Sequence, residues 1–534
     1  MQWLEILQNE VAELTEEMPE LTPHAVLTEL ISYYEPVHRR YKNRYARYKG
    51  DKKVVPIYKR ELPDFMKVNN KIHNNFLAEA VDTKVGYMIG IPVTYSIQSP
   101  ELRPDLEDVD SEVVKKEKQG LREIQNKISE FNEHNNIHDM NVELIKYTSI
   151  CGTASRLAYV SSRERDQKLN TYRIKNLKPW ETIFVYTDDE YRATVALRYY
   201  RSYRRLLDGR TQSYVVVEVY DDEYRYVYHQ NESSQFVPKN MFKIRLVGEE
   251  SSFEKTVEVG GEEEFVFVNY SPHMLNGVPL VEFPNNQERQ GDCDKALDLM
   301  EVYDKCISDW CSEIEQFRLA YLVLYGLKMD EKDIDKLRQT GCLEMTKDGK
   351  VEFITKKLDV ESITANLNKL ETNIVRLTKS VNFKDENFYG NLSGVAIRYK
   401  LMQLEEKASV TQVKFETSDA ILWGVLETGI GRYARGFKAK MVGRQFTRNI
   451  PVNMLEEARI QSELEGKVST KKRLSVASFV HSPELEQAEL MEELKTRAEF
   501  NIDFDKVNKP AVKLSDVEAG GQQDRNTNGT LDEL

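Results

Sequence analysis

Apolar residues recur at alternating three- and four-residue steps in three stretches of the C-terminal half of the chain. The first runs Ala296, Met300, Tyr303, Ile307, Trp310, Ile314, Phe317, and the second Val360, Ile363, Leu367, Leu370, Ile374, Leu377, Val381. The third runs Ile397, Leu401, Leu404, Ala408, Thr411, Phe415. Heptad spacing of this kind predicts three helices, each with one narrow apolar seam. A helix of about 20 residues spans about 30 Å and cannot bury a seam alone. Neighbours are therefore required, within the chain or from other copies of it.

The first two helices bracket a mixed α/β insert at 318–358. It holds a strand (LAYLVLYG), a short helix (DEKDIDKLRQ) and a hairpin (CLEMTKDGKVEFITKK) turning at Asp348 and Gly349. The stretch NFKDENFYGNLSG before the third helix reads as a loop, with Asn391 or Ser393 available as an N-cap. Toward the N-terminus, residues 1–48 read as helical. NNKIHNNFLAEAVDTKVGYMIG is a second helix with Ile72, Phe76, Ala80, Val85 and Met88 on one face, before IPVTYSI turns extended. ELRPDLEDVDSEVVKKEKQG reads as a solvated loop or insertion, followed by a helix through 120–149. From 152 to 270 short β runs separated by turn residues predict an antiparallel sheet or sandwich, with the tyrosines and arginines of LRYYRSYRRLL on its outer face. After the third helix come two or three short amphipathic helices, broken at Gly466 and Pro483, and a polar tail with the composition of a disordered segment.

With 534 residues, 40% of them hydrophobic and 10% aromatic, the chain has ample material for several cores. No apolar run approaches the roughly 20 residues of a membrane span, and the acidic start MQWLEILQNEVAELTEE lacks a signal-peptide core, so neither export nor a bilayer is expected. A net charge of −13 excludes a general DNA-binding protein, since a carboxylate-rich surface repels phosphate. The basic, tyrosine-rich run HRRYKNRYARYKG is read as a solvated helix face before a nucleic-acid patch.

Chemical motifs are sparse. Cys151, Cys293, Cys306, Cys311 and Cys342 form no CxxC pair, and the histidines form no metal-binding set, which leaves free thiols in a reducing compartment and no metal or cofactor. GIGRYA at 429–434 has the spacing of a dinucleotide fingerprint but follows a helix, not a strand. DRNTNGTLDEL lacks the closing glutamate of a calcium loop, and without a signal peptide its LDEL end is no retention signal. No phosphate loop, nucleophile elbow or kinase signature is present, so no catalytic residue is nominated.

Three local sequences resemble the portal proteins of tailed bacteriophages, in particular the group typified by the portal of Bacillus phage SPP1. They are NNFLAEAVDTKVGYMIGIPVTY, NGVPLVEFPNNQERQGDCDKALDLMEVYDKCISDWCSEIEQFRLAYLVLYG and NLSGVAIRYKLMQLEEKA, and ELEGKVSTKKRLSVASFVHSPELE is similar as well. The likeness keeps its order across most of residues 30–500. It implies an α+β portal fold with long stem helices, an α/β clip, a mixed α/β wing and a helical crown. It further implies a homo-oligomeric ring, a dodecamer, at one capsid vertex of the virion, assembled in the host bacterial cytoplasm.

The implied layout is a wing at 1–285, stem helices at 286–317 and 359–381, a clip at 318–358 and a tunnel loop at 382–392. A long kinked helix returning to the wing would fill 393–453, the crown 454–498 and the tail 499–534. Partners implied are double-stranded DNA, the terminase large subunit, major capsid and scaffolding proteins, and head completion (adaptor) proteins. By position, Lys379, Lys384 and Arg398 are candidates for DNA contact, with Phe383, Asn387, Phe388 and Tyr389 at the loop tip. An intersubunit salt bridge or a packed aromatic is the bland alternative for each. Ile307, Trp310, Ile314, Ile363, Leu367, Leu370, Ile374 and Leu377 are candidate oligomer-seam positions, and Lys328, Asp330, Glu331, Lys332 and Asp333 candidate clip contacts. Competing readings are a nucleic-acid-processing enzyme and a helical scaffold or adaptor without a channel.

Overall fold

A computed structural model describes residues 3–4, 22–61, 68–97, 112–161, 171–186, 192–205, 211–231, 233–240, 242–247, 254–256, 258–259, 262–263, 265–317, 321–325, 335, 350–354, 359–381, 394–450, 454–474, 476–477, 480, 486–487, 489–491 and 493–496. Of the side chains, those at 112–118, 204, 242–267, 316–317, 321–325, 350–354, 394–398, 454–457 and 471 are excepted. The chain divides into two units, Met1–Pro451 and Val452–Leu534.

In the first unit α1 (Pro23–Tyr48) opens with Thr22 as N-cap, its hydroxyl accepting from the Ala25 amide at 3.3 Å, and with Pro23 at the first helical position, where a missing N–H costs nothing. The basic run at its end has two sides: Arg39, Arg40, Lys42 and Asn43 meet solvent as expected, and the other side faces inward. Tyr41 and Arg44 are buried, Arg44 pairs with Asp294, and Arg47 reaches Glu301 at 2.8 Å. The inward side pins α1 to the start of the first heptad helix through Arg44 and Arg47.

The second predicted helix begins later than its apolar spacing suggested. α2 is Phe76–Ile89, capped by Asn75, and Ile72 lies before it in an irregular run. β1 (Thr94–Ile97) pairs with β18 (Val442–Gln445). The helix expected over 120–149 is two: α3 (Glu112–His134), which takes in the end of the supposed charged loop, and α4 (Ile137–Cys151), separated by Asn136 at φ 48°. Asn135 forces the break, because its side chain donates to the Phe131 carbonyl at 2.9 Å and accepts from the Ile174 amide at 3.0 Å. Gly152 ends α4 at φ 91°, where a Cβ would stand 2.1 Å from the Arg289 carbonyl oxygen, so only glycine makes this turn.

Two sheets follow. β2 (Thr153–Val160) lies between β3 (Tyr172–Leu177) and β15 (Leu280–Pro284). The larger sheet runs β14 (Tyr270–Pro272), β7 (Tyr224–Gln230), β6 (Thr211–Tyr220), β5 (Val195–Arg205), β4 (Thr182–Val185), with β8 (Phe236–Pro238) on β7. A ribbon of β9 (Phe242–Val247), β10 (Glu254–Thr256) and β13 (Phe265–Val268) includes one parallel pair, β9 with β10, and β11 (Glu258–Val259) pairs with β12 (Glu262–Glu263). The larger sheet has no free outer face along its inner half. Val195, Leu197, Val217 and Val219 pack with Val26 and Leu27 of α1, while Ala196 and Tyr220 on the other face share a core with Leu157 and Leu177 of the smaller sheet. Arginines and tyrosines predicted to point outward are thus partly enclosed.

Three helices carry the heptad seams. α5 (Leu297–Phe317) starts after a turn at 291–296, α6 is Val360–Thr378, capped by Asp359, and α7 (Gly394–Gly431) is a continuous helix of 38 residues. Between the first two, β16 (Tyr321–Tyr325) pairs antiparallel with β17 (Lys350–Ile354), and the turn expected at Asp348 and Gly349 lies outside the described residues. In the second unit α8 (Met454–Leu464) ends before Gly466 at φ 72°, and α9 (Thr470–Leu474) follows, with Gln461 donating to the Arg473 carbonyl at 3.0 Å.

A polar stripe on α5 went unread beside its apolar seam. Asp304, Ser308 and Ser312, one turn apart and all buried, accept from the amides of Asn74 (2.9 Å), Ile72 (3.0 Å) and Asn70 (2.9 Å). The irregular run before α2 therefore lies antiparallel along the helix, every second amide bonding to it. The match is geometric: two extended residues rise about 6.6 Å, and four helical ones about 6 Å. Ser308→Ala leaves the half-buried Ile72 amide without its acceptor and should lower unfolding stability by about 1 kcal/mol. Urea unfolding monitored by circular dichroism checks this; an unchanged midpoint would mean that the ladder contributes nothing.

Candidate functional site

Where α6 ends and the chain leaves toward 382–393, one buried network fixes four segments. Lys84 of α2 is fully enclosed, and all three of its N–H groups are used: on Thr411 Oγ1 of α7 (2.6 Å), Asn285 Oδ1 (2.9 Å) and Asp292 Oδ1 (3.1 Å). Lys407 of α7 lies 3.7 Å from the same Asp292 carboxylate and donates to the Thr378 carbonyl at 2.6 Å, in the last turn of α6. A cation there also suits the negative end of the helix dipole. Burial pushes the Lys84 ammonium down to about 8 against the pull of Asp292. Burial alone would raise the Asp292 carboxyl, yet Lys407 and Lys84 keep it below its ordinary value. Thr411, read from its spacing as a seam position, serves as an acceptor for this lysine.

Lys379, a candidate for DNA contact, caps α6 at φ 51° and pairs with Glu406 of α7 at 2.9 Å. Its charge is engaged within the chain. Phe383, Lys384, Asn387, Phe388 and Tyr389 lie outside the described residues, as do Lys328, Asp330, Glu331, Lys332 and Asp333. Arg398 falls within α7, but its side chain is outside them too.

The seam positions divide. Leu367 and Ile374 are buried, and Ile307, Trp310, Ile363 and Leu370 pack half-buried against the main core. Ile314 is 45% and Leu377 39% exposed. Thr378 takes the inner place beside Leu377, since its hydroxyl bonds to the Ile374 carbonyl at 2.8 Å.

α7 is apolar on two sides. Leu401, Leu404, Ala408 and Phe415 are buried in the main core. On the opposite side Tyr399 (74%), Met402 (52%), Val410 (52%) and Val413 (61%) stand exposed at three- and four-residue steps, with Glu406 between them. A second apolar stripe on a helix calls for cover of its own. This second stripe could have been found by testing the long helix for a second heptad phase.

Glu405 joins α7 to α2 and to the segment after β18. Arg448 grips it with Nε at 2.7 Å and Nη2 at 2.8 Å, and the Tyr87 hydroxyl donates at 2.6 Å. Burial would raise the carboxyl, but Arg448, Tyr87 and Ser409 bring it down from its ordinary 4.5 to about 2. Because its folded value is the lower one, Glu405 adds stability that is fully present above about 4.5 and lost as pH falls toward about 2. Thermal melts across that window should show a shallower acid slope in Glu405→Gln than in the parent; parallel slopes would remove Glu405 from the acid response.

Among the described residues no cluster of metal-ligating side chains occurs, and no helix is long and apolar enough to cross a membrane. Comparison with known proteins gives the arrangement its context. The portal protein of Clostridium phage phiCD119 is 24% identical over 462 residues, covering 84% of this chain and 90% of that one. The portal protein of Bacillus phage SPP1 is 24% identical over 459 residues, 82% of this chain and 79% of the relative. Residues 29–499 match the family described as phage portal protein, SPP1 Gp6-like. The chain therefore belongs to the SPP1-type family of phage portal proteins, structural components of the bacteriophage and not enzymes.

Proposed function

We propose that this chain is the subunit of a ring, a dodecamer, at one capsid vertex, through which the terminase large subunit packages double-stranded DNA and from which the DNA is later ejected. Capsid and scaffolding proteins would surround the ring, and head completion proteins would attach to it. In this reading α5 and α6 are the stem, 318–358 the clip, 382–392 the tunnel loop, α7 the long helix and 454–498 the crown. The candidate contacts of clip and loop keep their roles as proposals.

The observation that carries the reading is the outer stripe of α7 in a chain of portal descent. Tyr399, Met402, Val410 and Val413 are left uncovered by a single subunit, and a copy related by rotation would cover them. Such a head-to-tail contact closes when the rotation divides a full turn. The Lys379–Glu406 pair supports a channel that guides DNA without gripping it, since each phosphate that a protein cation neutralises adds affinity that must be broken at every step.

Replacing both Val410 and Val413 by Asp should abolish rings in negative-stain images and reduce the light-scattering mass to one subunit, with the circular dichroism spectrum unchanged. Ile374→Asp is the poorer probe, because Ile374 is buried within the subunit itself. Intact rings in the double variant would sink the assignment of the stripe. A wild-type mass fixed at one subunit, even with scaffolding protein present, would sink the ring.

A further inference from the structure

The two sheets do not close on each other along their whole length. Beyond the small core around Leu157 and Tyr220 they part into a cleft of about 550 Å³, within the usual range for ligand sites. Its wall on the larger sheet is charged. Arg198 and Glu218 are cross-strand partners, and the buried Glu218 carboxylate also accepts from Arg225 Nη2 (2.6 Å), Tyr220 Oη (2.9 Å) and Tyr200 Oη (3.3 Å). Burial would raise Glu218, but Arg225 and Arg198 outweigh it and hold the group ionised. Two guanidiniums thus share one carboxylate. Arg198 is held the more loosely of the two: its contact to Glu218 is 3.4 Å against 2.6 Å for Arg225, and its face stacks 4.1 Å over Tyr200.

The wall on the smaller sheet differs in character. Tyr159 and Lys175 line it, both exposed, and Lys175 makes no ion pair among the described residues. At the lip stands Met274, 56% exposed and at φ 60°. Its turn is held rigidly, because His273 Nδ1 accepts from the Leu275 amide at 3.2 Å while Nε2 donates to the Asp221 carbonyl at 3.1 Å. A positive φ at a residue with a side chain stores strain, and a flexible, polarizable Met at such a lip suits contact with varied apolar groups.

We propose that this cleft is a docking groove for an extended, acidic segment of a partner protein, carrying both carboxylates and aliphatic side chains. The groove's cations stand on both walls, Arg198 on the larger sheet and Lys175 on the smaller, with Tyr159 on the same wall as Lys175. Carboxylates meet Arg198 and Lys175, and aliphatic groups meet Tyr159 and Met274. The surplus of one guanidinium and one ammonium matches one or two carboxylates. A nucleic-acid strand fits worse, since Glu218 lies amid the cations and a phosphate chain brings a charge with every nucleotide. The groove belongs to the single subunit, so its occupancy does not depend on ring closure.

The test uses the full chain and a fluorescein-labelled short peptide of alternating aspartate and valine, followed by anisotropy, with an alternating lysine–valine peptide as control. The aspartate peptide should bind at least about tenfold more tightly than the control, a difference of about 1.4 kcal/mol. Lys175→Glu and Tyr159→Ala, both at exposed positions, should each weaken it by about tenfold. Lys369→Glu, on the exposed side of α6, should change it less than about twofold. Equal binding of the two peptides, equal loss in Lys369→Glu, or displacement by a short oligothymidylate at the same concentration would overturn the proposal. Repeating the titration on the Val410, Val413 double variant separates the groove from the ring: retained binding supports the groove, and loss there would overturn its independence from assembly.

Discussion

The fixed point of this fold is a carboxylate that no water reaches. Asp292 lies in the loop before α5, and Lys84 and Lys407 approach it from α2 and α7. Taking these ions out of water costs several kcal/mol each, so the cluster is weak evidence for stability as such. Its effect is specificity. Lys84 has three donors and three acceptors in one geometry, and Lys407 reaches from Asp292 to the end of α6. A slip of α7 by one turn would strand charges in the core. Register along the long helix is therefore set more sharply than leucines alone would set it.

With register fixed, the two faces of α7 acquire separate roles. The inner face completes the subunit core through Leu404, Ala408 and Phe415, and the outer face is left at a constant angle to it. A closed ring needs that constancy, because an angular error at each contact accumulates around the circle. The strap along α5 acts in the same direction. Three bonds from alternate amides to Asp304, Ser308 and Ser312 hold the stem helix against the segment that enters α2.

The helices and strands were legible where burial is one-sided. Heptad spacing located α5, α6 and the first half of α7, and alternation located most strands, because in each case one face meets a core and the other does not. Reading failed where a side chain takes over a backbone group. Asn135 cuts one expected helix in two, Asn75 starts another four residues after Ile72, and Thr378 replaces Leu377 at the inner position of α6. Spacing alone does not reveal such bonds: each joins a side chain to a backbone group three or four residues away, and two of these residues are also held from far off, Asn135 accepting from the Ile174 amide and Asn75 donating to the Tyr48 carbonyl. The strand LRYYRSYRRLL misled in its first half for a related reason: there its sheet is covered on both sides, so Arg198 is enclosed with Glu218 and Tyr199 with α1, whereas Arg201, Tyr203 and Arg205 are exposed as expected. Polar residues in a strand mark solvent only when no second layer is present to pair them.

That enclosed charge also distinguishes the two sheets as a pair. An ordinary sandwich fills the space between its sheets with interdigitating apolar side chains, and among the described residues this happens in the cluster around Leu157, Leu177, Ala196, Tyr220 and Leu280. Further out, Glu218 with its arginines occupies the inner face of the larger sheet, and ions that need their remaining hydrogen-bonding capacity met resist close packing by the opposing layer. The cleft is thus a consequence of the charges, and the charges hold it open. An apolar triad of the same volume would let the sheets collapse and pack more stably, so retaining ions at that cost fits a surface that has to remain available.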